Sequence, residues 1–378
     1  MSRKPKILFS ARDPGAVGHV VALLEAFSQD GRFDVDLAAS GTALNLLKQA
    51  GKLPYAFRLV DGRDHVQDND DPTHLLEATA RLLVKSQPDA VFVSLSSFGI
   101  GIDEALLATA QVPTFAMQDF WGDVNLGLGV PAELYFVLDE YAVRLSQERW
   151  GVNAIAVGSP KHARYADFDV VALRDATRRS LGVGNEEKIV GFFGQSPMIP
   201  GHELAFQDLV KATAALNPRP LFLLREHPKF LAEFYDLHKR HLWEAKKLGL
   251  KVVDATAEPN PEAWLASCDV VVTPFSLCGL DHAYLSAYSQ KPIGSVLYLL
   301  TNHALRAFAE QVCGMKQFPI VEQGVGTAVE MPNKLSTSVE NALRRESAFA
   351  YFEASKSLQK GNPIKKIVAV VEQTLVVQ

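Results

Sequence analysis

Short apolar runs alternate with amphipathic segments along almost the whole chain, and this alternation limits the possible folds more than any other feature. The first runs lie at 7–10, 35–39, 90–95, 114–117 and 134–138, and they are typical of strands buried on both faces. The segments between them, at 17–28, 43–50, 73–85 and 103–110, carry apolar residues at helical spacing. Strict alternation of strand and helix predicts a parallel sheet with right-handed crossovers.

The pattern stops near 160–185 and then starts again. Further strands are predicted at 189–193, 221–224, 252–254, 270–273 and 293–296, each followed by a helix. A chain of 378 residues, 48% of them hydrophobic, is long enough for two domains with separate cores. We therefore predict an α/β protein with two Rossmann-like parallel-sheet domains, residues 1–165 and 166–360, facing each other across a cleft.

Residues 361–378 form a predicted C-terminal helix with one apolar face. Such a face needs a partner, and the N-terminal domain is the candidate. The surrounding region is locally basic, which leaves peripheral contact with anionic lipid open as an alternative to a solvated face. Its basic residues are Arg344, Arg345, Lys356, Lys360, Lys365 and Lys366.

Bulk properties favour a cytoplasmic protein whose main partner is not nucleic acid. A net charge of -5 argues against nucleic acid as the main partner. No signal-peptide pattern and no apolar run of about 18 residues is recognisable. The cysteines, Cys268, Cys278 and Cys313, lack metal-ligand spacing and indicate free thiols in a reducing compartment. The oligomeric state is not indicated.

Two groups of possible metal ligands are better explained without a metal. The stretch 61–71 contains five aspartates but lacks the central glycine and the terminal glutamate of a calcium loop, so a solvated loop is expected. His238 and His241 lie three residues apart on a predicted helix whose pattern is that of an ordinary amphipathic helix. We therefore predict neither a metal nor a resident cofactor.

Candidate site residues were sought where ligands bind in open parallel sheets, beyond the carboxyl ends of the strands. After the first strand, Arg12 can meet a phosphate, and nearby glycines allow close approach of the backbone. His19 follows in the first turn of the next helix. A plain strand-to-helix turn is the alternative interpretation.

The turn after the strand at 114–117 combines two carboxylates with aromatic residues. Asp119 and Asp123 flank Phe120 and Trp121. Aromatic rings beside carboxylates suit the apolar faces and hydroxyls of a sugar. Alternatively, the two aromatics close the core and Asp119 caps the next turn.

The second half has three polar turns that are predicted to share one sheet edge. Arg225 and His227 stand at one strand tip as cations for a diphosphate. Another strand leads to Ser276 as helix cap, with backbone N–H groups near Gly279 available to a phosphate. The candidate nucleotide and diphosphate ligands of this half are Gly194, Gln195, Ser196, Arg225, His227, Ser276, Gly279 and Asp281. Asp281 either accepts from a ribose hydroxyl or complements the helix dipole.

The segments LREHPK and DVVVTPFSLCGLDHA resemble CDP-glycerol glycerophosphotransferases and related capsule or teichoic-acid glycosyltransferases. Those families carry an R-x-H-P strand end and a later S-S-x-x-x-D helix start. Arg225 and His227 fall on the first motif. Ser276 and Asp281 fall on the second, with Leu277 in place of its second serine. The G-S-P-K turn at 158–161 is also similar to a turn that precedes the interdomain linker in these proteins.

The first half resembles two other groups of sugar-nucleotide enzymes. Gly18-His19 is similar to the GGTGGH loop of the N-acetylglucosaminyltransferase that forms lipid II. Arg12 near Pro14 resembles the T-R-P-E loop of UDP-N-acetylglucosamine 2-epimerases. Their H-V-E-A-G strand end supplies a catalytic glutamate, where this chain has Gln118. Together these resemblances imply the GT-B type of glycosyltransferase fold.

We predict a metal-independent glycosyltransferase that moves a sugar, or a related group, from a nucleotide-diphosphate donor to a hydroxyl acceptor. The expected acceptor is a glycan, a lipid-linked molecule or a polyol phosphate, as in synthesis of surface polysaccharide or glycoconjugate. His19 is the first candidate for the general base, followed by Asp119 and Asp123. The alternatives are a UDP-sugar 2-epimerase or hydrolase, and a non-catalytic module that binds nucleotide or glycan.

Overall fold

The computed structural model describes residues 3–59, 62–67, 69–95, 99–184, 186–258, 261–314, 318–358 and 361–376. Two aspartates of the acidic stretch, Asp61 and Asp68, lie outside the described residues, as do Lys360 and the side chain of Cys313. The chain divides into two compact units. Unit 1 comprises Met1–Arg164 with Gln359–Gln378, and unit 2 comprises Tyr165–Leu358.

Unit 1 is built on a parallel sheet whose strand order is β3-β2-β1-β5-β7-β8-β9. Its strands are β1 (Lys6–Ala11), β2 (Asp34–Ala39), β3 (Tyr55–Ala56), β4 (His65–Val66), β5 (Ala90–Ser94), β6 (Ile100–Gly101), β7 (Thr114–Met117), β8 (Leu134–Val137) and β9 (Ala154–Ala156). Its helices up to the unit boundary are α1 (Pro14–Asp30), α2 (Gly41–Gln49), α3 (Thr73–Ser86), α4 (Ile102–Thr109), α5 (Glu140–Trp150) and α6 (Pro160–Ala163). Strand β1 pairs with β2 on one side and with β5 on the other, so the order of the strands reverses at β1. Such a reversal leaves a crevice at the carboxyl end of the strand.

Aromatic side chains form much of the core of this sheet. Phe9 stacks on Phe92 at 5.1 Å between ring centroids, and Phe92 stacks on Phe136 at 5.7 Å. All three rings are completely buried. The central strands therefore bury both faces, as the uniformly apolar runs predicted.

Two residues of the acidic stretch form a strand, whereas the sequence indicated a solvated loop. Within it, β4 pairs in antiparallel fashion with β6. Gly99 permits this approach, because a Cβ at that position would lie 2.5 Å from the backbone oxygen of Val66. Asp64 lies over the start of α2, where a Cβ on Gly41 would be 2.4 Å from its Oδ2. These packing partners lie far apart in sequence, so local composition gave no sign of them.

Unit 2 repeats the design with a parallel sheet of order β12-β11-β10-β13-β14-β15. Its strands are β10 (Ile189–Phe193), β11 (Leu221–Arg225), β12 (Val252–Asp254), β13 (Val270–Thr273), β14 (Ser295–Leu299) and β15 (Thr327–Val329). Its helices are α7 (Val170–Ser180), α8 (His202–Ala214), α9 (Lys229–Glu233), α10 (Tyr235–Lys247), α11 (Pro261–Ser267), α12 (Leu277–Tyr288), α13 (His303–Cys313), α14 (Pro319–Glu322), α15 (Leu335–Ala342) and α16 (Arg345–Ser355). Short 3₁₀ helices cover Arg164–Asp167 and Pro332–Lys334. The prediction of two Rossmann-like α/β domains is confirmed.

One strand of unit 2 starts later than predicted. We expected residues 293–296, but β14 begins at Ser295. Gly294 has φ +153°, and a Cβ there would lie 2.7 Å from the backbone oxygens of Cys268 and Asp269. The close passage of the chain over these carbonyls explains why the regular strand begins after the glycine.

The C-terminal helix α17 (Pro363–Val376) belongs to unit 1, where it contacts α1 and α6. Its apolar face is buried through Ile367 and Val371. Arg32, just beyond α1, pairs with Glu372 of this helix. Among the described residues, no helix is both long enough and apolar enough to cross a membrane.

Candidate functional site

Arg12 crosses the crevice at the carboxyl end of β1. It is almost completely buried, and its Nη2 donates a hydrogen bond of 3.0 Å to the backbone oxygen of Gly99. Gly101 makes room for the guanidinium, because a Cβ there would lie 2.6 Å from Nε of Arg12. Arg12 is therefore held against the segment that forms β6, with a positive charge at the sheet edge.

Two carboxylates after β7 have pKa values close to neutral. Burial raises the pKa of Asp119 to about 7, helped by the negative charge of Asp13 and opposed by Lys161. Burial also raises the pKa of Asp123 to about 6, opposed by the hydrogen bond that its Oδ1 accepts from the Val124 N–H at 2.9 Å. Both side chains are half-buried. They are thus able to exchange a proton near pH 7, which acid–base catalysis requires.

Gln118, which replaces the glutamate of the epimerase motif, has a structural role. Its side chain is fully buried, and its Nε2 donates to the backbone oxygen of Asp123 at 2.7 Å and to Oγ of Ser146 at 3.2 Å. An amide cannot take up a proton as a carboxylate does. The residue shapes the loop that presents Asp119 and Asp123.

Of the two aromatic residues of this loop, Trp121 packs in the core, as the alternative interpretation predicted. Trp121 is buried, and its Nε1 donates to Oδ2 of Asp139 at 3.0 Å. Asn125, at the end of the loop, donates to the backbone oxygen of Ser94 at 3.0 Å and to Oε1 of Glu104 at 3.2 Å. The loop is therefore tied to β5 and α4.

His19 is buried and lies in the second turn of α1, not in the first turn as predicted, because the helix already begins at Pro14. Its ring meets that of His162 edge-on at 6.2 Å, and Nδ1 of His162 lies 2.6 Å from Oγ of Ser159. The aliphatic part of Lys161 covers Gly18, whose Cβ would lie 2.8 Å from the lysine Cγ. The G-S-P-K turn therefore packs on α1, and it brings the Lys161 charge to Asp119.

Sequence reasoning missed Lys161 and Asp13 as members of this group. Lys161 is part of the G-S-P-K turn and Asp13 is part of the loop after β1, two segments in which other residues were the candidates. Their effect on Asp119 is electrostatic, and it depends on tertiary proximity that residue spacing does not express.

In unit 2, the three predicted turns leave neighbouring strands. The register pairs Phe193 with Arg225 and Phe192 with Val272, so β11, β10 and β13 end side by side. The N–H of Gly194 donates to the backbone oxygen of Arg225 at 2.9 Å. Gln195 is half-buried and Ser196 is buried in the turn that follows.

Arg225 is half-buried and anchored to the loop after β12. Its Nη1 donates to the backbone oxygens of Ala255 and Glu258, each at 2.6 Å. Burial lowers the pKa of Arg225, and the strongest opposing influence comes from Cys278 in the first turn of α12. Arg225 therefore lies within electrostatic reach of the start of that helix. His227 is half-buried, and its charge acts on the neighbouring His202.

The start of α12 is capped and closely packed. Ser276 caps the helix by accepting a hydrogen bond from the N–H of Cys278 at 3.3 Å. Gly279 lies against Tyr298, whose Oη would be 2.6 Å from a Cβ at that position. Asp281 is buried, and its charge contributes to the raised pKa of Tyr298, which burial mainly causes. The helix dipole acts mainly within the first turn, and Asp281 lies beyond the first turn of α12, so its role stays a prediction.

Within the described ranges, no group of three or more His, Cys, Asp or Glu side chains has an arrangement that could hold a metal ion. His238 and His241 are both buried and contact the carboxylate of Glu226. Glu226 stands between the two predicted cations of the strand end, and sequence reasoning gave it no role.

No protein-family model matches the chain, and no curated protein matches it by sequence. Solved structures do match it over nearly its whole length. UDP-GlcNAc 2-epimerase from Methanocaldococcus jannaschii, in complex with UDP-GlcNAc and UDP, has a TM-score of 0.69 at 11% identity, covering 97% of this chain and 99% of that one. The epimerase from Neisseria meningitidis bound to UDP-GlcNAc has a TM-score of 0.68 at 12% identity, with coverage of 97% and 100%.

MurG from Acinetobacter baumannii is also similar, with a TM-score of 0.63 at 12% identity and coverage of 98% of this chain and 100% of that one. At such low identities the similarity concerns the fold. The chain has the GT-B type of fold, which these epimerases and glycosyltransferases share.

Proposed function

We propose that this protein binds a nucleoside-diphosphate sugar and transfers the sugar, or a related group, to a hydroxyl acceptor. The observation that carries the proposal is the arrangement of the carboxyl edge of unit 2. There the turns after β10, β11 and β13 lie side by side, with Arg225 within electrostatic reach of the start of α12. A cation beside a helix N-terminus is suited to the negative charge of a diphosphate.

In the proposed reaction, the acceptor oxygen forms a bond to the anomeric carbon of the sugar. The bond from that carbon to the diphosphate breaks, and its electron pair leaves with the diphosphate. Arg225, His227 and the N–H groups at the start of α12 stabilise this developing charge. Removal of one such donor typically costs about 2.7–4 kcal/mol of barrier.

We assign the proton of the acceptor hydroxyl to Asp119. A pKa of about 7 means that the carboxylate and its acid are both populated at neutral pH. Asp119 is half-buried, so it keeps some contact with solvent, whereas His19 is buried beside His162. Asp123, with a pKa of about 6, is the second candidate.

Epimerisation of a UDP-sugar is the second candidate function. It is favoured by the whole-length match to structures described as UDP-GlcNAc 2-epimerases. Inversion at carbon 2 requires removal of the proton on that carbon, so a base is needed there. The buried amide of Gln118 weighs against it, because the epimerase motif has a glutamate at this point.

Incubation with UDP-GlcNAc in deuterated water distinguishes the two. An epimerase incorporates deuterium at carbon 2 and forms a second sugar isomer without any acceptor, which proton NMR detects. A transferase releases UDP at a rate that depends on an added hydroxyl acceptor.

The binding part of the proposal is tested by calorimetric titration with UDP. We expect Arg225→Ala to weaken UDP binding at least tenfold. Arg345→Ala, which changes an exposed arginine of the same unit, should leave the affinity unchanged. Equal UDP affinity of Arg225→Ala and the unmodified protein would refute the assignment of the diphosphate site.

A further inference from the structure

Glu226 points away from the edge on which its two neighbours are proposed to bind diphosphate. Arg225 and His227 are half-buried, whereas Glu226 is almost completely buried. Successive side chains of an extended segment point to opposite sides, so Arg225 and His227 face one side and Glu226 faces the other. The N–H of Glu226 also donates to Oγ1 of Thr256 at 3.2 Å, which ties the strand end to the loop after β12.

The buried carboxylate is held by two histidines of one helix. Nδ1 of His238 contacts one oxygen of Glu226, and Nδ1 of His241 contacts the other. The spacing of three residues on α10 places both rings on the same face, so one carboxylate can bridge them. The two histidines therefore clamp the carboxylate of Glu226.

His238 is also bound on its other side. Its Nε2 lies 2.9 Å from Oδ2 of Asp254, at the end of β12. His238 therefore joins α10 to the ends of both β11 and β12.

His241 has a different environment. Its ring stacks on Phe206 at 4.1 Å and lies 5.7 Å from Phe230. In the part of the chain that the structure describes, its Nε2 has no hydrogen-bond partner. Two further titratable side chains have rings close to the pair. The ring centroid of His202 of α8 lies 6.4 Å from that of His241, and the ring centroid of Tyr235 of α10 lies 6.3 Å from that of His238.

We propose that Glu226, His238 and His241 are positioning residues that hold Arg225 and His227 in place for the diphosphate. This inference rests on the proposed function. Without the ring of His238, a carboxylate oxygen of Glu226 would lose its hydrogen-bond partner in a buried place. The end of β11 would then lose its connection to α10.

Calorimetric titration with UDP tests the inference. We expect His238→Gln to bind UDP about tenfold more weakly than the unmodified protein. His74→Gln, which changes an exposed histidine of α3, is the matched control and should behave like the unmodified protein.

A second background separates positioning of Arg225 from a general loss of stability. In Arg225→Ala the cation that the cluster holds is absent, so adding His238→Gln should weaken UDP binding less than about threefold. An equal tenfold loss in both backgrounds overturns the inference. Unchanged UDP affinity of His238→Gln overturns the inference and leaves the proposed function standing. Absence of UDP binding by the unmodified protein overturns both.

Discussion

Asp119 shows how strongly tertiary surroundings change one residue. Its neighbours along the chain, Gln118 and Phe120, carry no charge, and an exposed aspartate there would be ionised at neutral pH. In the folded chain, burial and the charge of Asp13 raise its pKa to about 7. The sequence placed a carboxylate at the end of a predicted strand, and packing decided its proton affinity.

This raised pKa has a measurable effect on stability. As pH rises from about 4 to 7, the carboxyl of Asp119 ionises in the unfolded chain before it does so in the folded protein, so its contribution to stability is lost over that range. We expect Asp119→Asn to be more stable than the unmodified protein at pH 8 by about 1–2 kcal/mol, since partial exposure reduces the effect. Calorimetry at pH 8 and pH 4 measures the difference, which should vanish at pH 4.

The matched control is Asp34→Asn, which changes an exposed aspartate of the same unit. We expect its melting temperature to follow that of the unmodified protein at both pH values. Equal pH dependence of Asp119→Asn and the unmodified protein would contradict the assigned pKa.

At the scale of elements, α7 is attached to the sheet of unit 2 by buried charge. Arg174 and Arg178 both pair with Asp269, at 2.7 and 3.1 Å. The same carboxylate accepts the N–H of Ile189 at 2.8 Å, so the helix is joined to the beginning of β10. The arginines also donate to backbone oxygens, including those of Ala266 and Ser267.

Removal of the shared carboxylate should therefore be costly. We expect Asp269→Ala to destabilise unit 2 by about 3–5 kcal/mol, because two arginines then lie largely buried without their counter-ion. Asp236→Ala removes an exposed carboxylate that pairs with Lys239, and it should cost less than about 1 kcal/mol. Urea unfolding of both variants gives the comparison. Similar costs for the two would show that burial does not strengthen the Asp269 pairs.

Across the whole molecule, burial lowers the pKa of two histidines in unit 2 and raises the pKa of two aspartates in unit 1. Burial lowers the pKa of His202 and of His282 to about 3, and both belong to unit 2. Their neutral rings support folding above about pH 6.5, and this contribution is lost as pH falls towards 3. Asp119 and Asp123 of unit 1 have raised pKa values and contribute in the opposite direction.

We therefore expect acidification from pH 7.5 to 5.5 to lower the urea midpoint of unit 2 relative to that of unit 1. Pulsed hydrogen exchange with mass spectrometry along a urea series resolves the two midpoints. The variant Asp119→Asn should reduce the difference, because it removes a group through which unit 1 gains stability on acidification. Parallel changes in the two midpoints would contradict this prediction.

The sequence by itself determined the two parallel sheets, because uniformly apolar runs of strand length are stable only between two layers of helices. It also indicated which strand ends carry cations, since Arg225 and His227 directly follow a buried run. Short edge strands such as β9 and β15 were missed, because three residues are too few to show a period.

Only the tertiary structure decided how those residues are supported. The bonds of Glu226 to α10, the contact of Lys161 with α1 and the pairing of β4 with β6 all join segments that are distant in sequence. Such contacts depend on how the elements pack, and local composition does not encode that packing. For the same reason, the raised pKa of Asp119 became apparent only once its buried surroundings were known.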